Sequence, residues 1–248
     1  MVHAVLRSKA LFIGLVYANA LVLGAAVMGF EMLGSRYLDP AFGGTIFTWG
    51  ALISTVLLSL MVGAYGGGHL ADRYPSAALL AGLIAVAGLY FLGLYVFGGP
   101  MIDALAEAFD FSRWGLLAAA LLLNFIPISL FGTFTPFAVR LMIQDTGASG
   151  RLVGRISAIH SMGSIIGTIG TTFFLVPLLG TGTMTLLFGI VVLVSALSLF
   201  LLEWIPAAHE TVDDRHSAIA AAPARGPLPP VGAAGSLAGR QPERPRRP

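Results

Sequence analysis

ISAIHSMGSIIGTIGTTFFLVPLLGTGTMTLLFGIVVLVSALSLFLL, from Ile156 to Leu202, runs for forty-seven residues without Asp, Glu, Lys or Arg. His160 is its only strongly polar side chain. As one helix it would extend about 70 Å at 1.5 Å per residue, more than twice the roughly 30 Å hydrocarbon core of a bilayer. Gly180-Thr181-Gly182-Thr183 interrupts it near the middle. The stretch therefore predicts two membrane-spanning helices joined by a very tight turn.

The rest of the chain obeys the same logic. Of 248 residues, 56% are hydrophobic and 10% charged, against about 25% charged in a soluble domain. Charge-free apolar runs predict six spans, at Ala10–Phe30, Ile46–Gly66, Ala77–Phe97, Trp114–Pro136, Ile156–Leu179 and Met184–Leu202. They are too long and too uniformly apolar for the alternating strands of a membrane barrel. The expected fold is an all-α polytopic membrane protein. Arg7 and Lys9, followed by Ala18-Asn19-Ala20, have the outline of a signal peptide. The apolar run continues to Phe30, which favours an uncleaved first helix. With no cysteine, the chain has no disulfide framework, zinc ribbon or cysteine nucleophile.

Basic residues set the expected orientation. With the N-terminus inside, the inner segments hold Arg7, Lys9, Arg73, Arg140, Arg151, Arg155 and the tail arginines, and the outer ones only Arg36 and Arg113. Asp103, Glu107 and Asp110 then fall outside. In a bacterium this describes a multi-pass protein of the inner membrane, N-in and C-in. Residues 1–205 form the expected transmembrane domain. Residues 206–248 are rich in Pro, Gly and Arg and too poor in large apolar side chains to offset ordering entropy, so a disordered cytoplasmic tail is expected. Its Arg240, Arg244, Arg246 and Arg247 could touch anionic headgroups, or the tail is simply solvated.

Polar residues within lipid are costly and each needs an explanation. Glu31 ends the first expected span and is followed by Arg36. Together they form either a substrate- or proton-linked charge pair in a cavity or an interfacial pair that terminates a helix. Asn19 and Asn124 lie mid-span, and Pro127, by removing a backbone donor, predicts a kink beside Asn124. A small polar cavity there competes with plain packing of the amide between helices. In the fifth span His160, Gly163, Ser164, Gly167, Thr168, Gly170 and Thr171 recur at steps of three and four and share one face. Gly163 and Gly167 predict a close helix–helix seam, and Gly63/Gly67 repeat the spacing. His160 is either part of that seam or a proton-coupling group. The candidate ligand-binding residues are thus Glu31, Arg36, Asn124 and His160. No hydrolase, metalloprotease or phosphate-loop motif occurs, so no catalytic residue, metal or cofactor is expected. The basic tail alone is poor support for nucleic-acid binding.

Two stretches resemble the membrane domain of the fused spermidine-synthase-like proteins of bacteria. One runs from Gly24 through Gly29-Phe30-Glu31-Met32-Leu33-Gly34-Ser35-Arg36 and Phe42-Gly43-Gly44-Thr45 to Ala71-Asp72-Arg73. The other comprises Gly132-Thr133-Phe134-Thr135-Pro136, Arg140, Gly150-Arg151-Leu152-Val153-Gly154-Arg155, Ser161-Met162-Gly163-Ser164-Ile165-Ile166-Gly167 and Pro177-Leu178-Leu179-Gly180-Thr181. In that family the helices precede an aminopropyltransferase-like domain of Rossmann type. No such unit follows Leu202 here, so the resemblance implies the membrane part without the synthase domain, and no aminopropyl transfer by this chain alone. The family is also similar to major facilitator transporters. Gly68-His69-Leu70-Ala71-Asp72-Arg73 resembles the first half of their loop motif, whereas Tyr74-Pro75-Ser76 departs from the second. Six helices equal half of the usual twelve. Asp72 has a plainer alternative role, as an anion just before the third helix, where the dipole favours it.

The resemblance implies a membrane subunit or anchor for a separately encoded, soluble synthase-like partner. The intramembrane charges favour a small secondary transporter for a polyamine or another organic cation, which would dimerise to provide two halves. A remnant of a split enzyme is the third alternative.

Overall fold

The computed structural model describes residues 2–142 and 149–204. The expected tail, from residue 206 onward, lies outside the described residues. The described residues fold as helices, in the order α1 (Val2–Phe42), α2 (Ile46–Arg73), α3 (Ala77–Ala108), α4 (Arg113–Gly132), α5 (Phe134–Met142), α6 (Ser149–Ile169), α7 (Val176–Leu178) and α8 (Thr181–Leu201). A six-residue π-helical segment, Gly170–Leu175, joins α6 to α7. Six of the resulting rods are long and apolar enough to cross a membrane; α4 with α5, and α6 with the π segment and α7, each make one span. The chain is an all-α polytopic membrane bundle. The deciding stretch folds as two helices, with the turn at Leu179 and Gly180.

Most spans run beyond their expected ends, α2 on to Arg73, the fourth span to Met142, α6 back to Ser149 and α8 back to Thr181. Some of the differences have a clear local reason. α1 does not stop at Phe30 but continues to Phe42, because Leu33 and Leu38 prolong its buried face. It ends at Gly43, whose φ of +76° suits glycine and whose N–H donates to the Asp39 carbonyl at 2.9 Å, a left-handed C-terminal stop. α3 overruns Phe97 to Ala108, so Asp103 and Glu107 stand on helix and the connection to α4 shrinks to residues 109–112. Pro127 lies inside α4 without ending it, and the fourth span is interrupted at Thr133. Pro136, unable to donate to the Gly132 carbonyl, accounts for the break there. Pro177 likewise follows the π segment, where the Val176 N–H reaches back to Thr171.

The spans pair in a pattern that repeats. α1 packs most extensively on α6, α3 on α8 and α2 on α4, followed by α3 on α4 and α1 on α8. Exchanging span one with four, two with five and three with six leaves this set unchanged. The glycine contacts obey the same exchange. A methyl group on Gly163 would lie 2.0 Å from the Leu21 carbonyl oxygen, and one on Gly63 2.0 Å from that of Ser129. Gly167 meets Ala25 as Gly67 meets Thr133. Gly24 lies against the His160 carbonyl as Gly132 lies against that of Leu60. On the remaining pair, Gly88 faces Leu193 and Gly189 faces Leu92. Because spans one and four run in opposite directions, the bundle is an inverted repeat of three helices, with a pseudo-two-fold axis in the membrane plane.

An aromatic cluster sits where spans one, three, four and six meet. The Phe30 and Phe91 rings are 4.3 Å apart, Phe91 and Phe131 5.9 Å, and Phe30 and Phe188 6.3 Å. Polar links tie the first span to the sixth. Ser195 donates to Asn19 Oδ1, and Asn19 Nδ2 donates to Ser198 at 2.8 Å. The Tyr37 hydroxyl lies 2.7 Å from that of Thr185. Asn19 is therefore a packing amide.

Candidate functional site

The overrun of α1 carries Glu31 into the bundle, three turns short of the helix end. It is 6% exposed. Glu31 shares a helical face with Gly34 one turn on, and a Cβ at Gly34 would lie 4.0 Å from Asn124 Oδ1 on α4. Residues three apart on a helix are neighbours at about 5–6 Å, so Glu31 lies one turn from the α1–α4 contact at which Gly34 meets Asn124. Spans one and four are the pair the pseudo-two-fold axis exchanges.

Asn124 is fully buried, and neither its amide nitrogen nor its oxygen has a hydrogen-bond partner among the described residues. Glu31 likewise has no hydrogen-bond or ion-pair partner among them. A buried amide left unsatisfied costs about 1–3 kcal/mol, and a charged group more. Asn124 lies eleven residues into α4, about 16 Å at the helical rise, near the middle of a roughly 30 Å core. Thr55 and Ser59 on α2 are also buried, but return their hydroxyls to their own helix. Hydroxyls satisfied in this way need no external partner.

The other candidate residues lie elsewhere. Arg36 does not pair with Glu31. Five residues on, it projects from a different face, is exposed, and donates from Nη2 to the Val176 carbonyl at 3.4 Å. The His160 carbonyl abuts Gly24, two turns from Glu31, or about 10 Å of rise. His160 belongs to the α1–α6 seam with Gly163 and Gly167. The single hydroxyl hydrogen of Ser164 is within reach of the carbonyl oxygens of both His160, at 3.1 Å, and Gly24 across the seam, at 3.3 Å.

Asp72 has a partner of its own. Arg140 Nε lies 3.6 Å from its carboxylate, linking the ends of α2 and α5. Arg73 lies over the Tyr74 ring at 5.7 Å. The side chains at the start of α3 are instead Ser76, which accepts from the Leu79 N–H, and Glu203, which accepts from the Ala78 N–H at 3.0 Å. Glu203 is the first charge after the forty-seven-residue run, a signal that sequence reasoning passed over. Arg140 as the partner of Asp72 had no local signal, since sixty-eight positions separate them (140 − 72). No family model, no curated protein and no solved structure matches this chain.

Proposed function

We propose that this protein is a small secondary transporter of the bacterial inner membrane that binds an organic cation between α1 and α4. The observation that carries the reading is a buried glutamate without a partner among the described residues, Glu31, one helical turn from the point where α1 meets the buried, partnerless amide of Asn124. Polar groups inside a membrane are rare and mark ligand or ion pathways. A ligand bearing one ammonium group supplies what both lack: positive charge for the carboxylate, and donors for the amide oxygen. Inverted repeats favour sites near the bilayer midplane at the repeat interface, and the exchanged spans one and four supply both residues. Arg36 and His160 have no place in this site. Six spans resemble one half of a major facilitator bundle, so a homodimer would supply the second half.

The test is binding and uptake of a labelled polyamine by the full chain in proteoliposomes. Saturable uptake that competing organic cations suppress is expected, and its loss in Glu31→Gln is argued below. No specific uptake of any amine tested would end this reading.

Orientation is a separate expectation. Reporter fusions should place the residues before α1 and those between α5 and α6 in the cytoplasm, and residues 109–112 outside, as the basic residues require. A periplasmic signal from the Arg151 region would reverse it.

The stretches that resemble the membrane domain of spermidine-synthase-like proteins support a second reading, a membrane subunit for a soluble aminopropyltransferase. Pull-down with the full chain should then retain such an enzyme from the same organism, and Glu31→Gln should leave its retention unchanged.

A further inference from the structure

Outside the polar site, an apolar groove of about 420 Å³ runs between α1, the end of the fifth span and α8. Ala25 and Ala26, Gly170 and Thr171, and Phe174 and Phe188 are among its walls. Along the fifth span it reaches from Ile166 to Leu175, about 14 Å at the helical rise, or half of a roughly 30 Å hydrocarbon core. That is the depth of one leaflet. Phe174 on its rim is 62% exposed and Ile166 53%, so the groove opens sideways, towards lipid.

A cation stands at its upper end. Leu175 lines the groove, and the next carbonyl, that of Val176, receives the Arg36 guanidinium. Val176 precedes the turn at Leu179 and Gly180 by one helical turn, which places Arg36 near the membrane boundary. Arg36 has no carboxylate partner among the described residues. Its remaining donors form a planar fork that matches a phosphate.

We infer that this groove binds one anionic phospholipid, with an acyl chain along the fifth span and the headgroup phosphate on Arg36. The π segment makes room for it. Gly170 presents no side chain, and a Cβ there would meet nothing within 4 Å. Pro177 is what prevents regular helix from closing this stretch. The inference is independent of what the bundle transports, since neither Glu31 nor Asn124 takes part.

The test uses the full chain, purified in detergent, with dioleoyl phosphatidylglycerol, dioleoyl phosphatidylcholine and chain-free glycerol phosphate as probes. Native mass spectrometry and thermal unfolding should show the phosphatidylglycerol bound about tenfold more tightly than the phosphatidylcholine, the equivalent of 1.4 kcal/mol. Glycerol phosphate should give no shift. Arg36→Gln should erase the preference, whereas Arg36→Lys should keep part of it, since the charge survives. Gly170→Leu projects a side chain into the groove from a Cβ that meets nothing within 4 Å and should weaken both lipids, which keeps the test decisive if Arg36→Gln fails to fold. Equal affinity for the two lipids, binding of glycerol phosphate alone, or unaltered phosphatidylglycerol binding in Gly170→Leu would overturn the inference.

Discussion

Gly67→Ala is expected to destabilise the bundle by about 1–2 kcal/mol, whereas Gly66→Ala, one position away, leaves stability equal or higher. In an exposed helix interior, replacing glycine by alanine is favourable by roughly 0.5–1 kcal/mol. At Gly66 nothing lies within 4 Å of the added methyl, so only that propensity gain acts. At Gly67 the methyl would stand 2.6 Å from the Thr133 Cα. Backbone cannot swing aside as a side-chain end can, so α2 and α4 must separate, and overpacking of this kind costs about 1–3 kcal/mol. The pseudo-two-fold relation extends the expectation to the fifth span. Gly167→Leu should be more damaging still, because the first added carbon lies 2.2 Å from the Ala25 carbonyl oxygen. Ile166→Leu, 53% exposed, should be nearly silent. Unfolding in a graded denaturing detergent reads all four variants. Equal stability of the Gly66 and Gly67 variants would refute the close α2–α4 contact.

Glu31→Gln is expected to abolish cation binding while leaving the protein as stable as before, or more so. Removing one partner of a buried charge pair costs about 2–5 kcal/mol, which weakens binding roughly thirtyfold or more. Without ligand, however, Glu31 has no partner to lose. Neutralising it removes an intramembrane charge and breaks no contact. Asn124→Leu should act in the same direction, since both ends of that amide are unsatisfied. It should raise stability by on the order of 1 kcal/mol and weaken binding. A purely structural polar pair makes the opposite forecast, namely lower stability in both variants with uptake unchanged in whatever folds. Thermal unfolding and uptake measured on the same preparations distinguish the two, and uptake at the original level in folded Glu31→Gln would remove Glu31 from the site.

How the sequence and the structure share this account is clearest at individual residues. Hydropathy and the absence of charge determined the class, the number of spans and the tight turn after Leu179, because burial in lipid is decided locally, residue by residue. The spacing of Gly163 and Gly167, and of Gly63 and Gly67, likewise showed where backbones could approach closely, since a missing side chain is visible in sequence. Which backbones fill those gaps was not visible. That Leu21 answers Gly163 as Ser129 answers Gly63 is a matter of helix pairing, and the two halves keep little beyond the glycines in common.

Charges were legible as costs but not as partners. Glu31 and Arg36 look like a pair along the chain, yet a helix continuing to Phe42 turns them to different faces and sends Arg36 to the Val176 carbonyl. Asp72 looked like the anion before α3, but it meets Arg140, and Glu203 arrives at α3 from the far end of the chain. Asn19 and Asn124 were equivalent mid-span amides until packing gave one of them Ser195 and Ser198 and left the other with none. Local composition fixes how much a polar group needs a partner in lipid; only the three-dimensional arrangement of the six helices fixes whether it has one.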